Sequence, residues 1–209
     1  MHERMTLPGL VAADYRLFNR GRKGRLRRLS AALGNRGFSA LLLFRLSHAL
    51  QGRVPALPYL LSRLTQLLYA VDIDPRAELG PGIVLVHCFG IVVGSSTQIE
   101  GDCVIFHGVT FGDRGSEWVG SNQQDGHPVV GRNCMFGAGA KVLGGVRIGN
   151  NCVVGANAVV LNDVPENSVV AGLPAKIVSQ RPLMDEDLRP IYGHRSDAPK
   201  VPLKIGSDT

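Results

Sequence analysis

An aliphatic residue returns at every sixth position through the second half of the chain, usually with a small residue or Val four places later. One series is Ile73, Leu79, Leu85 and Ile91. A second is Val93, Ile99, Ile105 and Phe111, with Thr97, Cys103 and Val109 in the small slots. A third runs Val130, Phe136, Val142, Ile148, Val154 and Val160, with Cys134, Ala140, Val146, Cys152, Ala158 and Val164 in the small slots. A fixed short period means a solenoid, because each unit buries its apolar side only against the next one. Six residues suit one flat side of a triangular β-coil, so the spacing predicts a mainly β protein, a parallel β-helix over residues 71–180.

The pattern changes on either side of this region. Residues 8–34 read as helical but charged. Residues 38–51 place Phe38, Leu41, Leu42, Leu46, Ala49 and Leu50 at helical spacing, and residues 56–70 do the same with Leu57, Leu60, Leu61, Leu64, Leu67 and Leu68. Gly52 and Pro55 separate the two. Residues 1–70 are therefore expected to form a small α-helical domain that caps the first coil, its leucines turned into the core. The repeat slips by two residues between Ile91 and Val93. It stops over 112–129, a polar, Gly-rich insertion holding the only Trp, and a long insertion in a compact solenoid is usually functional or disordered. Residues 181–209 read as a C-terminal tail.

Charge sharpens this division. Residues 1–70 carry twelve Lys and Arg against Glu3 and Asp14, whereas the remainder is net acidic. The basic character belongs to the N-terminal segment and is densest between Arg20 and Arg28. Such a segment suits a solvated helix face, or attraction to an anionic membrane surface or anionic glycan. No recognition motif accompanies it, so nucleic acid is not expected. Cys103, Cys134 and Cys152 occupy small-residue slots and read as reduced core filler of a cytoplasmic protein. Neither a signal peptide nor a membrane-spanning run is visible.

The chemistry centres on histidines. His87 follows Leu85 by two residues and His107 follows Ile105 by two. With the slip counted, both should share one face of neighbouring coils, about 5 Å apart. His127 comes from the insertion and is expected to fold back over that face. Asp72 precedes His87 by nearly one coil. A carboxylate behind an imidazole makes a general base, which suits proton removal from a hydroxyl as it attacks a thioester. Cys88 should face inward if His87 faces outward, which argues against a covalent thioester on that thiol.

The runs Val71-Asp72-Ile73-Asp74-Pro75, Gly80-Pro81-Gly82-Ile83 and His87-Cys88-Phe89-Gly90-Ile91-Val92-Val93-Gly94 resemble the serine acetyltransferase family. So do Val109-Thr110-Phe111-Gly112, His127-Pro128, Gly137-Ala138-Gly139-Ala140-Lys141 and the closing Ala171–Val178 segment, in the same order and spacing. The resemblance implies a left-handed β-helix, exceptional against the usual right-handed crossover, and transfer of acetyl from acetyl-CoA to a hydroxyl. It further implies His87 as base, Asp72 as its partner and His127 as a second catalytic histidine. Gly112 or Asp113 would offer a backbone N–H to the oxyanion. Ala138, Gly139 and Ala156 would line the pantetheine groove, and Lys176 would lie near the cofactor's phosphates. His107 is a candidate acceptor contact. A homotrimer is implied, with a hexamer as the larger alternative, and no metal is expected.

Two positions depart from the family pattern. Val86 stands where the serine enzymes carry an Asp that holds the substrate ammonium, and Gly126 where they carry an Arg for its carboxylate. These two substrate-binding positions, with the short helical domain, direct the expectation to an O-acetyltransferase acting on a carbohydrate: a sugar, polysaccharide or glycolipid hydroxyl. Serine O-acetylation is the alternative. A zinc enzyme similar to γ-class carbonic anhydrases and a non-catalytic assembly module are the readings of other classes. The expected location is the cytoplasm, with peripheral contact at the inner face of the membrane as the alternative.

Overall fold

The structure is a computed structural model and describes residues 5–19, 34–115 and 126–180. The expectations for Arg20–Arg28, most of the insertion and the tail lie outside these residues. The aliphatic repeat builds a triangular β-helix of parallel strands. Face A stacks β1 (Val71–Ile73), β4 (Ile91–Val93), β7 (Thr110–Gly112), β10 (Lys141–Leu143) and β13 (Val159–Val160). Face B stacks β2 (Glu78–Leu79), β5 (Gln98–Gly101), β8 (Val129–Arg132) and β11 (Arg147–Ile148). Face C stacks β3 (Ile83–Val86), β6 (Cys103–Phe106), β9 (Met135–Phe136), β12 (Val153–Val154) and β14 (Ser168–Gly172), and closes with antiparallel β15 (Ala175–Gln180).

The repeat positions form the core. Ile73, Val93, Phe111, Val142 and Val160 point inward from face A. Leu79, Ile99, Val130 and Ile148 do so from face B, and Leu85, Ile105, Phe136, Val154 and Val170 from face C. Small slots meet at the corners, where Cys103, Cys134 and Cys152 are buried. Those thiols donate to backbone carbonyls of their own or the next coil. Corner residues before these slots take positive φ, and Asn133, Asn151 and Asn167 fill three of them. Their amides form a ladder, Asn133 Nδ2 donating to Asn151 Oδ1 and Asn151 Nδ2 to Asn167 Oδ1. Short polar side chains tolerate this conformation and bond locally.

The two-residue slip has a definite place. Val71 pairs with Ile91, a coil of 20 residues, whereas Val92 pairs with Thr110, a coil of 18. The strands on face C keep register, Val86 opposite Phe106. The extra residues therefore fall in the corner between β3 and β4, the segment His87-Cys88-Phe89-Gly90. Cys88 turns into the core while Phe89 is pushed out to solvent.

Three helices close the first coil: α1 (Leu7–Phe18), α2 (Arg36–Leu50) and α3 (Leu57–Tyr69). A solenoid end exposes unpaired backbone groups, and a buried ion pair meets them here. Asp14 of α1 and Arg45 of α2 pair at 3.0 Å. Arg45 donates to the carbonyls of Leu79 and Gly80, and Asp14 accepts from Ile83 N. Helix α2 comes so close to β3 that a Cβ on Gly37 would lie 2.1 Å from the Leu85 carbonyl oxygen, so only glycine fits there.

Helix α3 departs from expectation. It buries Pro58 and Thr65 and leaves Leu60, Leu64, Leu67 and Leu68 exposed, Leu67 at 84%. Its inward side is made by Pro58, Ser62 and Thr65, with Tyr69 packed against the core at its last turn, where it meets α2 and the coil edge. There Ser62 donates to the Ile73 carbonyl, and Ser47 of α2 donates to the Pro58 carbonyl. No helix among the described residues is long and apolar enough to cross a membrane.

Candidate active site

The corner between faces C and A runs the length of the prism and carries one group of the expected residues. His87 sits at this corner on the first coil with φ +48. His107 sits directly beyond it on the second coil, and their ring centroids lie 6.3 Å apart, edge to face. Both rings are exposed. On the third and fourth coils the same corner is made by Ala138-Gly139 and by Ala156-Asn157. Gly139 N donates to the His107 carbonyl and Asn157 N to the Ala138 carbonyl, so the backbone links successive levels. The turn between β14 and β15 follows, and Lys176 is exposed on β15 opposite Ala171. Imidazoles stand at one end, small residues form a groove wall in the middle, and a cation lies at the far end. At one strand spacing per level, the column is about 19 Å long.

Asp72 lies on the outer side of β1, exposed and in register with Val92. It therefore belongs to face A, the face that the His87 corner bounds. The Cys88 thiol is buried and burial pushes its pKa up, so it is not poised as a nucleophile.

A second group gathers at the other edge of face A, the corner between A and B. His127 belongs here, not over the His87–His107 corner. The chain re-enters the prism on face B, with Val130 opposite Ile99, which places His127 at the start of that face. Its ring packs against Gly94, where a Cβ would come within 2.0 Å of Cδ2 and Nε2. The Ser96 hydroxyl meets its Nδ1 at 2.8 Å. Asp74 lies close enough for the charge of His127 to act on it. The main influence on Asp74 is its hydrogen bond from Arg76, and together these hold the carboxyl below the usual carboxylate range. Gly112 and Asp113 end face A of the third coil at the same corner, and the Asp113 carboxylate accepts from Gly115 N. Gly126 has open space around its Cα.

Sequence reasoning misses Ser96, Asp74 and Arg76. The signal is present: Asp74 and Gly94 each stand five residues before the face B aliphatics Leu79 and Ile99, and His127 stands three before Val130, as Ser96 does before Ile99. Counting faces, not hexads alone, puts all of them at one corner. Among the described residues no group of His, Cys, Asp and Glu is arranged to hold a metal ion.

The comparisons with known proteins agree with the fold. Residues 127–162 match the family model described as bacterial transferase hexapeptide (six repeats). The serine acetyltransferase of Synechococcus elongatus is 40% identical over 171 residues, covering 80% of this chain and 67% of that protein. The serine acetyltransferase of Haemophilus influenzae is 44% identical over 147 residues, covering 69% of this chain and 53% of that protein. The chain thus spans two thirds of the first and about half of the second. A crystal structure of serine acetyltransferase in complex with coenzyme A from Brucella abortus superposes with a TM-score of 0.74 at 34% identity, covering 84% of this chain and 68% of that one.

These relatives overturn the expectation of a carbohydrate acceptor. They are serine acetyltransferases over most of this chain's length. The expectation rested partly on the missing charge at Val86, and that side chain is 1% exposed on β3, the strand against which α1 and α2 pack. A residue so enclosed says nothing about what the acceptor carries. With repeat, prism and relatives in agreement, the chain belongs to the serine acetyltransferase family, with a left-handed β-helix built on hexapeptide repeats.

Proposed function

We propose that this chain is an acetyl-CoA-dependent serine O-acetyltransferase whose site forms between two copies. The observation that carries the reading is the division of the expected residues between the two edges of face A. His87, His107, Ala138, Gly139 and Ala156 occupy one edge; Gly112, Asp113 and His127 occupy the other. One prism cannot bring its two edges to a single substrate. A ring of copies, each turning face A toward a common axis, sets one edge against the neighbour's other edge. A trimer is the assembly that the family likeness supports.

In this arrangement acetyl-CoA lies along the C–A corner, its thioester beside His87 and its phosphates toward Lys176. Asp72 orients the His87 imidazole. His87 takes the proton of the serine hydroxyl as the oxygen attacks the thioester carbonyl carbon. The developing oxyanion is met by a backbone N–H at Gly112 or Asp113 of the neighbouring copy. The C–S bond then breaks, and the imidazolium returns its proton to the leaving thiolate, giving O-acetylserine and CoA. His127 of the neighbouring copy contacts the acceptor. The Asp74–Arg76 pair at that corner offers one charge of each sign, the complement of an ammonium and a carboxylate, in place of those absent at Val86 and Gly126.

Free-thiol release from acetyl-CoA, measured with L-serine and with a panel of simple and nucleotide sugars, tests the reading. Turnover with serine is expected. Turnover with a sugar and none with serine would remove it.

A further inference from the structure

We infer that the outward leucine stripe of α3 is a contact surface for a second copy of this chain, sealing the assembly at the N-terminal end of face A. The inference rests on the ring arrangement proposed above. It starts from an inversion. Soluble helices turn their apolar stripe toward their own core, yet α3 presents Pro58, Ser62 and Thr65 inward and Leu60, Leu64, Leu67 and Leu68 outward. The four leucines follow the spacing i, i+4, i+7, i+8, which is one continuous ridge on a helix. Tyr59 flanks it and is 48% exposed. The only charged residue in α3 is Arg63.

The position of this ridge identifies its occupant. Helix α3 packs on β1, the end strand of face A, and Ala70, the residue that caps it, is tied to the corner leading into the next coil, where Gly90 N donates to the Ala70 carbonyl. Two further exposed apolar side chains adjoin that point: Phe89, pushed out by the two-residue slip, and Val92 on the outer side of β4. The apolar surface therefore continues from the helix onto face A. That is the face both half-sites flank, and the one that must turn toward the other copies. Together these seven side chains expose on the order of the ~800 Å² that each partner gives to a standard protein interface. A ring built on face A brings the α3 ridges of its members together around the axis and covers them.

The test compares the wild-type chain with Leu60→Glu/Leu67→Glu and with the milder Leu67→Ala, using sedimentation equilibrium across a dilution series. Both positions are exposed in a single chain, and a thermal melt by circular dichroism checks that each variant folds. Glu78→Lys, on the outer side of face B, serves as control. A trimer is expected for wild type and control. The double variant should dissociate at protein concentrations at least tenfold higher than wild type, and Leu67→Ala should do so severalfold higher. Specific thiol release should fall in step on dilution and return at high protein concentration. A double variant that keeps trimer mass overturns the inference and leaves the shared site standing. So does a wild-type hexamer that falls to trimers in the variant, since the ridge then joins trimers. Unchanged mass with lost binding to phosphatidylglycerol vesicles assigns the ridge to a lipid surface instead. A monomeric wild type removes both this inference and the shared site.

Discussion

The Ser96 hydroxyl and His127 Nδ1 are joined across 2.8 Å although 31 residues separate them in sequence. With Nδ1 engaged, Nε2 is the ring nitrogen that the proposed site leaves for the acceptor, and in that reading Ser96 is a positioning residue. Ser96→Ala should raise the KM for the acceptor roughly three- to tenfold with little change in kcat, the size expected for one neutral hydrogen bond. Ser96→Thr should retain the wild-type value, because the hydroxyl remains. Initial rates of thiol release at varied serine concentration check this. Equal losses of kcat and kcat/KM would instead place Ser96 in the chemical step.

Gly94 should be less tolerant than Ser96. A methyl there would occupy the place of the His127 ring, 2.0 Å from its atoms. The ring must move or the corner must open, so Gly94→Ala should weaken acceptor binding more than Ser96→Ala does. The fold should persist, since the strain falls on a half-buried ring at a corner of the prism and not on the core. Parallel KM measurements and thermal melts of the two variants decide the order.

His87 and His127 stand at opposite edges of one face, which gives the shared site a quantitative signature. His87→Ala should lower turnover by roughly 10²–10⁴, the range for loss of a general base. His127→Ala should act mainly on acceptor binding. In a randomly mixed trimer of the two variants, about one site in four draws an intact His87 from one chain and an intact His127 from its neighbour. Mixing after reversible dissociation should therefore restore about a quarter of the wild-type activity. Absence of any recovery, with mixing verified by mass, would place both histidines' work within one chain.

The prism is legible in the sequence because its core allows little else: every side turns the same alternating positions inward, one of them aliphatic in every coil, so Ile99, Val130 and Ile148 declare themselves by period alone. The stacking of His87 on His107 is legible for the same reason once the slip is counted. Two features are not. Leucine spacing in α3 says which side is apolar but not what covers it, and the covering surface lies outside the single chain. The corner occupied by His127 is set by where a long insertion rejoins the prism. Only the assignment of Val130 to the face of Leu79 and Ile99 reveals that point, and a count of hexads skips it. The Asp14–Arg45 pair joins residues 31 apart across two helices, and neither position stands out among the other charges of the first 70 residues.

That pair should be expensive to break and no easier to replace. Burial pushes the Asp14 pKa up, and the Arg45 charge and the hydrogen bonds offset this only in part, so the charged form of Asp14 depends on Arg45 and on its backbone donors. Arg45→Ala strands it and should cost about 3–5 kcal/mol. Buried pairs can often be exchanged for apolar residues at no loss. Here the exchange also strips the carbonyls of Leu79 and Gly80 and the N–H of Ile83 of their partners. The double variant Asp14→Leu/Arg45→Met should therefore remain at least about 2 kcal/mol less stable than wild type, since each unmet buried group costs about 1–3 kcal/mol. Urea denaturation of the three variants measures this.

Asp74 supplies a stability term that depends on pH. The hydrogen bond from Arg76, aided by the nearby charge of His127, holds its folded-state pKa below the usual carboxylate value. Between the folded and unfolded pKa values the unfolded chain binds more protons, so stability rises with pH across that window. The contribution is complete above about pH 4, the ordinary Asp value, and is lost as pH falls through the lower folded value. Because the Arg76 side chain is 55% exposed, solvent screens the pair and the term should be small. Asp74→Asn should flatten the acid limb of the stability profile and leave the profile above pH 6 parallel to wild type. Thermal melts between pH 3 and pH 7 test this, and an unchanged acid limb would show that the Asp74–Arg76 bond does not persist in solution.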